Sequence, residues 1–400
     1  MREGWEIKKL GDVLVKTETV DPTKKSNQDF TYLDVSSVNK ETKKIENATL
    51  MLGKDAPSRA RKLVRTNDVI FATVRPTHSR VALITEEYNK EVCSTGYFVL
   101  RGKDFIFNKY LFYFLLTDEF NEQMEKLQKG ASYPAVTDTV VKNILLHYPK
   151  SLSEQKRIVA ILDEAFAAIA KAKANAERNL KNAREVFESY LQGVFENGNW
   201  DEKKLEEICF LISKGSSPKW QGIKYVDAPG VLFVTSENVG ENTLILEQRK
   251  YVEEKFNISD KKSILKNGDV LTNIVGASIG RTAIFNLDDI ANINQAVCLI
   301  RCNDEFLFNE YLTYLLNSPF TKQHLHDNEV NNARANLSLG FFRGLSIPLP
   351  SLSEQRKVVE RIKAFHIETQ KLETIYQQKI NDLDELKKSI LQKAFSGGLN

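Results

Sequence analysis

The chain of 400 residues carries no charged-then-apolar leader and no long uncharged apolar run, so a soluble intracellular protein is expected. Cysteine is scarce and irregular. Cys93, Cys209, Cys298 and Cys302 fit no disulfide framework or zinc spacing; Cys298 and Cys302, four apart in an apolar stretch, read as buried strand residues. An excess of one charge is missing as well, since 56 Lys and Arg against 53 Asp and Glu leave a net charge of +3. Bulk charge therefore selects no partner, although its distribution is uneven. From Lys54 to Arg80 there are seven basic residues against two acidic ones.

What is present is a duplication. Ser151-Leu152-Ser153-Glu154-Gln155 returns as Ser351-Leu352-Ser353-Glu354-Gln355, 200 positions later. Other matches keep the same order. Trp5 with Lys8-Lys9-Leu10 answers Trp200 with Lys203-Lys204-Leu205, and Asp68-Val69-Ile70 answers Asp269-Val270-Leu271. Arg80 with Ala82 answers Arg281 with Ala283, and Leu191-Gln192 with Phe195 answers Leu391-Gln392 with Phe395. Phe105-Ile106-Phe107-Asn108 followed by Tyr110-Leu111 answers Phe306-Leu307-Phe308-Asn309 followed by Tyr311-Leu312. A period this long indicates a duplicated two-part unit and not a solenoid. Residues 21–67 and 213–266 barely correspond beyond Val35-Ser36-Ser37 against Val234-Thr235-Ser236. A shared frame with divergent insertions suits two related modules that read different things.

Each repeated pentapeptide opens a helix. Ser151 and Ser351 stand three residues before Glu154 and Glu354, a capping-box spacing, and glycine at 198 and at 397–398 supplies the stops. Between these signals apolar residues alternate at steps of four and three. The first copy runs Ile158, Leu162, Ala165, Ile169, Ala172, Ala176, Asn179, Ala183, Val186, Tyr190. The second runs Val358, Ile362, Phe365, Thr369, Leu372, Tyr376, Lys379, Leu383, Leu386, Ile390. That rhythm is a coiled-coil seam, and alanine facing larger side chains predicts that the two helices pair with each other. A helix of about 44 residues is roughly 65 Å long, against a radius of gyration of about 15 Å for a domain of about 150 residues. Antiparallel pairing is therefore expected, with one globular half at each end and an approximate twofold between them. The domain reading is 1–150 globular, 151–197 helix, 198–350 globular and 351–400 helix; the fold class is α+β.

Chemical motifs are missing from both copies. Gly276-Ala277-Ser278-Ile279-Gly280-Arg281-Thr282 looks like a phosphate loop but is one residue short and has arginine for lysine. Its counterpart, Arg75-Pro76-Thr77-His78-Ser79-Arg80-Val81, lacks both glycines, so both read as loops joining two strands. His324, His326 and Asp327 match no usual helical ligand spacing and read as a polar helix end. There is no glycine-rich methyl-donor loop, no Asn/Asp-Pro-Pro-aromatic motif, no repeated nuclease arrangement and no nucleophile elbow. An enzyme built by duplication should show its chemistry in a copy, so a binding protein without catalytic residues, metal or cofactor of its own is expected. A methyltransferase or nuclease with unrecognised motifs, and a protein-binding scaffold, remain as alternatives.

Candidate binding residues sit in loops. In the first half they are Arg59, Arg61, Lys62, Arg75, Thr77, His78, Ser79 and Arg80, with Ser132 and Tyr133 in a further loop. Arginine and lysine neutralise phosphates, and arginine also reads guanine by two parallel hydrogen bonds. In the second half Lys214, Ser216, Ser217, Lys219 and Trp220 form a basic turn with an aromatic. Asn273, Ser278, Arg281, Asn292, Asn294, Gln295 and Arg334 add amides and charge suited to adenine edges and phosphates. Trp5 and Trp200 read as packing residues at a domain edge.

These residues carry a family resemblance. A strand-rich half ending in Ile347-Pro348-Leu349-Pro350-Ser351-Leu352-Ser353-Glu354-Gln355, then a long helix closing with Leu391-Gln392-Lys393-Ala394-Phe395-Ser396-Gly397, resembles the DNA-specificity subunit of type I restriction–modification systems. The likeness spans essentially the whole chain; the first copy departs only in Tyr148-Pro149-Lys150. It implies two target-recognition domains like those of Taq-type adenine methyltransferases, each reading one half of a split DNA sequence. It also implies two antiparallel helices that set the unread spacer and dock two modification subunits, with restriction subunits joining. S-adenosylmethionine, ATP and magnesium would belong to those partners, and a bacterial or archaeal cytoplasm would be the compartment.

Overall fold

The computed structural model describes residues 3–331 and 335–399. Two compact units divide the chain: Met1–Ala176 with Gln378–Asn400, and Glu177–Gln377. The division falls inside both long helices, so each unit holds one globular half, the start of one helix and the end of the other.

In the first unit, strand Trp5–Lys9 pairs antiparallel with Leu145–Pro149, which brings the entry and exit of the globular half together at the mouth of the helix. Between them lie two sheets. One has four strands in the order Thr49–Leu52, Asp29–Leu33, Val92–Ser94, Ala60–Leu63, and its two inner strands run parallel. The other is an antiparallel sheet in the order Val81–Leu83, Val69–Ala72, Tyr97–Leu100. The strand residues 69–72 and 97–100 are all buried, which their unbroken apolar runs require. Helices Asn108–Phe114 and Asp118–Leu127 follow; Thr117 caps the second by accepting from the Phe120 N–H.

The second unit repeats this plan. Strand Glu202–Lys204 pairs with Ser346–Pro348, and Val231–Val234 runs parallel to Ala291–Ile293. An antiparallel sheet orders Cys209–Lys214, Val297–Cys302, Val270–Asn273 and Thr282–Ile284. Cys298 and Cys302 are buried on their strand as expected, and all four cysteines are free. The matching helices are Asn309–Asn317 and Pro319–Asp327. His324 and His326 lie on the last turn of the second, where the His326 ring contacts Glu329.

The long helices span Leu152–Glu196 and Leu352–Phe395. The Ser151 and Ser351 hydroxyls each accept the Glu154 or Glu354 backbone N–H at 3.4 Å, and Gly397 closes the second helix with φ 79°. Within the first unit the segments run antiparallel: Lys173 Nζ meets Asp384 at 2.7 Å, and the Arg157 guanidinium donates to the Leu399 carbonyl at 3.0 Å. Within the second, Arg184 meets Glu373 at 2.9 Å and Tyr190 lies 4.4 Å from Phe365, centroid to centroid. The heptad seam holds at Ile158, Leu162, Ile169, Ala176, Ala183, Val358, Ile362 and Thr369. It fails at Asn179, Val186, Leu372, Lys379 and Leu386, which are exposed, while Ile380 and Leu391 are buried instead. A straight helix drifts about 20° per heptad from a 3.5-residue repeat, so burial of the seam becomes intermittent away from the helix start.

The helix ends plug into the globular cores. Phe395 lies 4.7 Å from Tyr110 and 5.9 Å from Phe114 in the first unit. Phe195 lies 5.5 Å from Tyr311 in the second, and Trp200 packs 6.4 Å from the same ring. Each buried phenylalanine contributes roughly 1.5–3 kcal/mol of burial. Trp5 is likewise half-buried against the first core. Among the described residues no helix is long and apolar enough to cross a membrane.

Candidate nucleic-acid interface

The frame explains what the repeated residues do. Gln155 is completely buried; its amide donates to the Phe105 and Pro149 carbonyls at 3.0 and 2.9 Å and accepts the Phe107 N–H at 2.8 Å. Gln355 is buried and does the same for Phe306, Pro350 and Phe308 at 2.8, 2.9 and 2.8 Å. The last residue of each pentapeptide thus clasps the loop before the first short helix to the entry of the long one. A second matched pair lies in each antiparallel sheet. Asp68 receives two bonds from Arg101 at 2.8 and 2.7 Å, and Asp269 receives two from Arg301, both at 2.7 Å. Both carboxylates also accept a backbone N–H, of Arg65 and Lys266. Sequence reading singled out neither role, although the identity of Gln and Asp in both copies was its visible trace.

On this frame the first half brings two of its predicted loops together. The turn Pro76–His78 joins the strands that end at Ala72 and start at Val81, confirming a strand-joining loop. Beside it, Val136 N–H donates to Thr73 O at 2.9 Å and Arg75 N–H to Pro134 O at 2.7 Å, which holds the Lys129–Ala135 loop against it. Arg75, Thr77, His78, Ser132 and Tyr133 are exposed there.

Much of the basic stretch is engaged elsewhere. Lys62 donates to Tyr97 O at 2.6 Å and to Asp138 at 2.9 Å. Arg61 donates to Ala60 O at 2.9 Å and pairs with Asp21 at 3.3 Å, Arg65 pairs with Glu18, and Arg80 donates to the Val38 carbonyl. Ser79 donates to Asn121 Oδ1 at 2.6 Å, while its carbonyl accepts Lys43 Nζ at 2.7 Å. Burial pushes the Lys43 ammonium down to about 8. Arg59 is exposed on the turn before strand Ala60–Leu63. Charge counting cannot separate these groups, because most of their acceptors come from distant parts of the chain.

In the second half Lys214, Ser216, Ser217, Trp220 and Gln295 line one cleft of about 490 Å³ together with Ile274 and Val275. The turn at Gly215 is obligatory, since a β-carbon there would stand 1.7 Å from the Ile293 carbonyl oxygen. Ser216 donates to Asp260 at 2.6 Å and accepts from Gln221. Lys214 and Lys219 are exposed, and Trp220 is 84% exposed on the short turn Pro218–Gln221. Arg281 is also exposed.

The amides behave differently. Asn273 is wholly buried and donates to Ser236 O at 2.9 Å, to Val239 O at 3.4 Å and to Ser278 Oγ at 3.2 Å. Asn292 is buried and bonded to Asn257 at 2.7 Å, and Asn294 accepts the Ala296 N–H at 3.0 Å. Asn273 and Asn292 therefore shape the loops from inside, which corrects their selection as surface groups; Ser278 and Asn294 are half-buried. Arg334, with Asn332 and Ala333, lies outside the described residues.

Comparison with known proteins agrees with this plan. The family described as the type I restriction modification DNA specificity domain matches residues 2–178 and again 197–382. The type I restriction enzyme MjaVIII specificity subunit of Methanocaldococcus jannaschii is 25% identical over 306 residues, which cover 72% of this chain and 69% of that one. A solved chain concerned with complex assembly and conformational transition of the type I R-M system superposes with a TM-score of 0.88 at 29% identity, covering 100% of this chain and 99% of that one. The HsdS subunit from Thermoanaerobacter tengcongensis superposes at 0.70, also at 29% identity, covering 100% and 98%.

Proposed function

Because this chain belongs to the type I restriction–modification family of DNA specificity subunits, we propose that each globular half reads one half of a split DNA sequence. The paired helices set the unread gap and dock two modification subunits, and restriction subunits complete the assembly. S-adenosylmethionine, ATP and magnesium act on those partners, in the cytoplasm of a bacterium or archaeon, and this chain contributes recognition alone.

One observation carries this reading: the two halves repeat their frame bond for bond and differ in the loops mounted on it. A duplicated frame with unlike loops fits a ligand made of two unlike parts at a fixed separation. Exposed Arg59, Arg75 and Tyr133 in the first half, and Lys214, Lys219, Trp220 and Arg281 in the second, offer charge for phosphates and donors or rings for bases. The engaged Arg61, Lys62, Ser79, Arg80 and Ser216 hold those loops in shape.

Methylome sequencing of cells expressing the three-component system tests the whole reading. A bipartite consensus that vanishes without this chain is the expected result; modification by the purified chain alone would favour a stand-alone methyltransferase, and no split consensus would favour a scaffold. The ruler is tested separately by inserting one helical turn between residues 160 and 185. One turn is about 5.4 Å, or between one and two base pairs at roughly 3.4 Å each. The gap should change while both half-site sequences stay as they were; altered half-sites with an unchanged gap would refute the ruler.

A further inference from the structure

We propose that Arg75, stacked on Tyr133, is the base-reading side chain of the first half and that it takes a guanine of the first half-site. The proposal rests on reading this chain as a DNA specificity subunit. Arg75 and Ser79 bracket the single turn Pro76–His78, and both are left-handed, with φ 49° and 47°. The second half builds the same loop with Gly276 and Gly280 at these two places, φ 76° and 86°. The correspondence follows from Asp68 against Asp269 and Arg80 against Arg281.

A β-carbon is penalised in the left-handed region and glycine is not. Glycine is therefore the undemanding solution for this loop, and the first half departs from it at a residue with five N–H donors. Such a residue persists only where its surroundings over-determine it, and such places cluster at functional sites. The surroundings here are firm. Pro76 is buried, the Arg75 N–H is bonded to Pro134 O at 2.7 Å, and Ser79 is held by Asn121 and Lys43.

The side chain, by contrast, is available. Among the described residues no carboxylate or carbonyl takes an N–H of the Arg75 guanidinium, whereas Arg61, Arg65, Arg80 and Arg101 are all bonded. Its partner among the described residues is a ring: the guanidinium carbon lies 5.3 Å from the centroid of Tyr133, which is itself 73% exposed. A guanidinium over an aromatic face keeps its N–H edge free, in the fork that matches guanine O6 and N7. The ring also removes rotamer freedom before DNA arrives, so less entropy is lost on binding. A phosphate contact asks for charge alone, and Arg59 on an ordinary exposed turn serves that purpose without a left-handed residue or a platform.

Arg75→Gly installs the residue of the second half and relieves the backbone, so the melting temperature should hold or rise. In the complete system, methylome sequencing should show one guanine position of one half-site relaxed, with discrimination there falling roughly 10- to 100-fold. The other half-site and the gap should be unchanged. Arg75→Lys, which keeps the charge without the fork, should relax the same position while overall binding is retained. Tyr133→Phe should preserve discrimination and Tyr133→Leu should weaken it at that position, as expected of a positioning ring. An unchanged consensus in Arg75→Gly, a relaxed position that is not guanine, or equal loss on unrelated DNA would each overturn the assignment. A wild-type system with no bipartite consensus would instead defeat the specificity reading itself.

Discussion

The strand-joining loops at residues 73–80 and 274–281 start and finish on matched strands, yet they solve the same turn differently. The second uses Gly276 and Gly280 and fills its interior with the buried amide of Asn273; the first has Arg75 and Ser79 at the bends and Ala72 in place of that amide. Beneath the loops the difference disappears, since Asp68 with Arg101 and Asp269 with Arg301 are bonded alike. Duplication has kept the groups that hold each half together and released the groups that stand on its surface. The lesson is that identity at the glutamine clasps and the Asp–Arg pairs marks architecture in this chain, while the proposed function assigns recognition to the loops mounted on them.

That comparison can be broken most forcefully at the matched ion pairs. Asp68→Ala and Asp269→Ala each take the two-bond carboxylate from a guanidinium whose side chain is only 18% or 22% exposed, leaving Arg101 with Glu18 and Arg301 with the Ile264 carbonyl, and each frees a backbone N–H. Each should lower stability by about 3 kcal/mol, somewhat less in the first half where Glu18 still pairs with Arg101, as read from denaturant midpoints. A large asymmetry would mean that the two pairs are not equivalent. The glutamine clasps come next. Gln155→Ala and Gln355→Ala each leave two carbonyls, one of them buried, and one N–H without their partner, and each should cost about 2 kcal/mol. Both should leave the methylated consensus intact; a changed half-site would place the clasp in recognition.

The smallest effect sharpens the contrast between the loops. Asn273→Ala installs the first half's residue and removes the donor shared by the Ser236 and Val239 carbonyls. It also removes the Asn273 Oδ1, a buried acceptor without a partner among the described residues, which offsets part of the loss. A cost near 1 kcal/mol is expected, with the second half-site unaltered in sequence. Loss of an adenine from that half-site would return Asn273 to the reading surface.

Much of this was legible in the residues. The pentapeptide and its serine cap foretold the start of both long helices to within a residue, because capping is local, while the second helix stops at Phe395, short of the expected 400. Alanine against larger side chains foretold the pairing, seen in buried Ala176 and Ala183. The seam beyond its first two or three heptads was only partly legible, since the drift of a straight helix accumulates with length. Nor could the basic stretch be sorted. Lys62 and Arg80 are held by Tyr97, Asp138 and Val38, and only the folded chain shows that Arg75 has no such acceptor among the described residues. Asn273 misled for the same reason: an amide suited to adenine is equally suited to a buried carbonyl.

The central claim, that one frame carries two interchangeable readers, is tested most directly by replacing residues 198–350 with a second copy of residues 1–150 and sequencing the methylome of the complete system. The account predicts a consensus with the first half-site sequence in both halves and the gap unchanged. A second half-site that keeps its original sequence, from a chimera that folds and assembles, would contradict it.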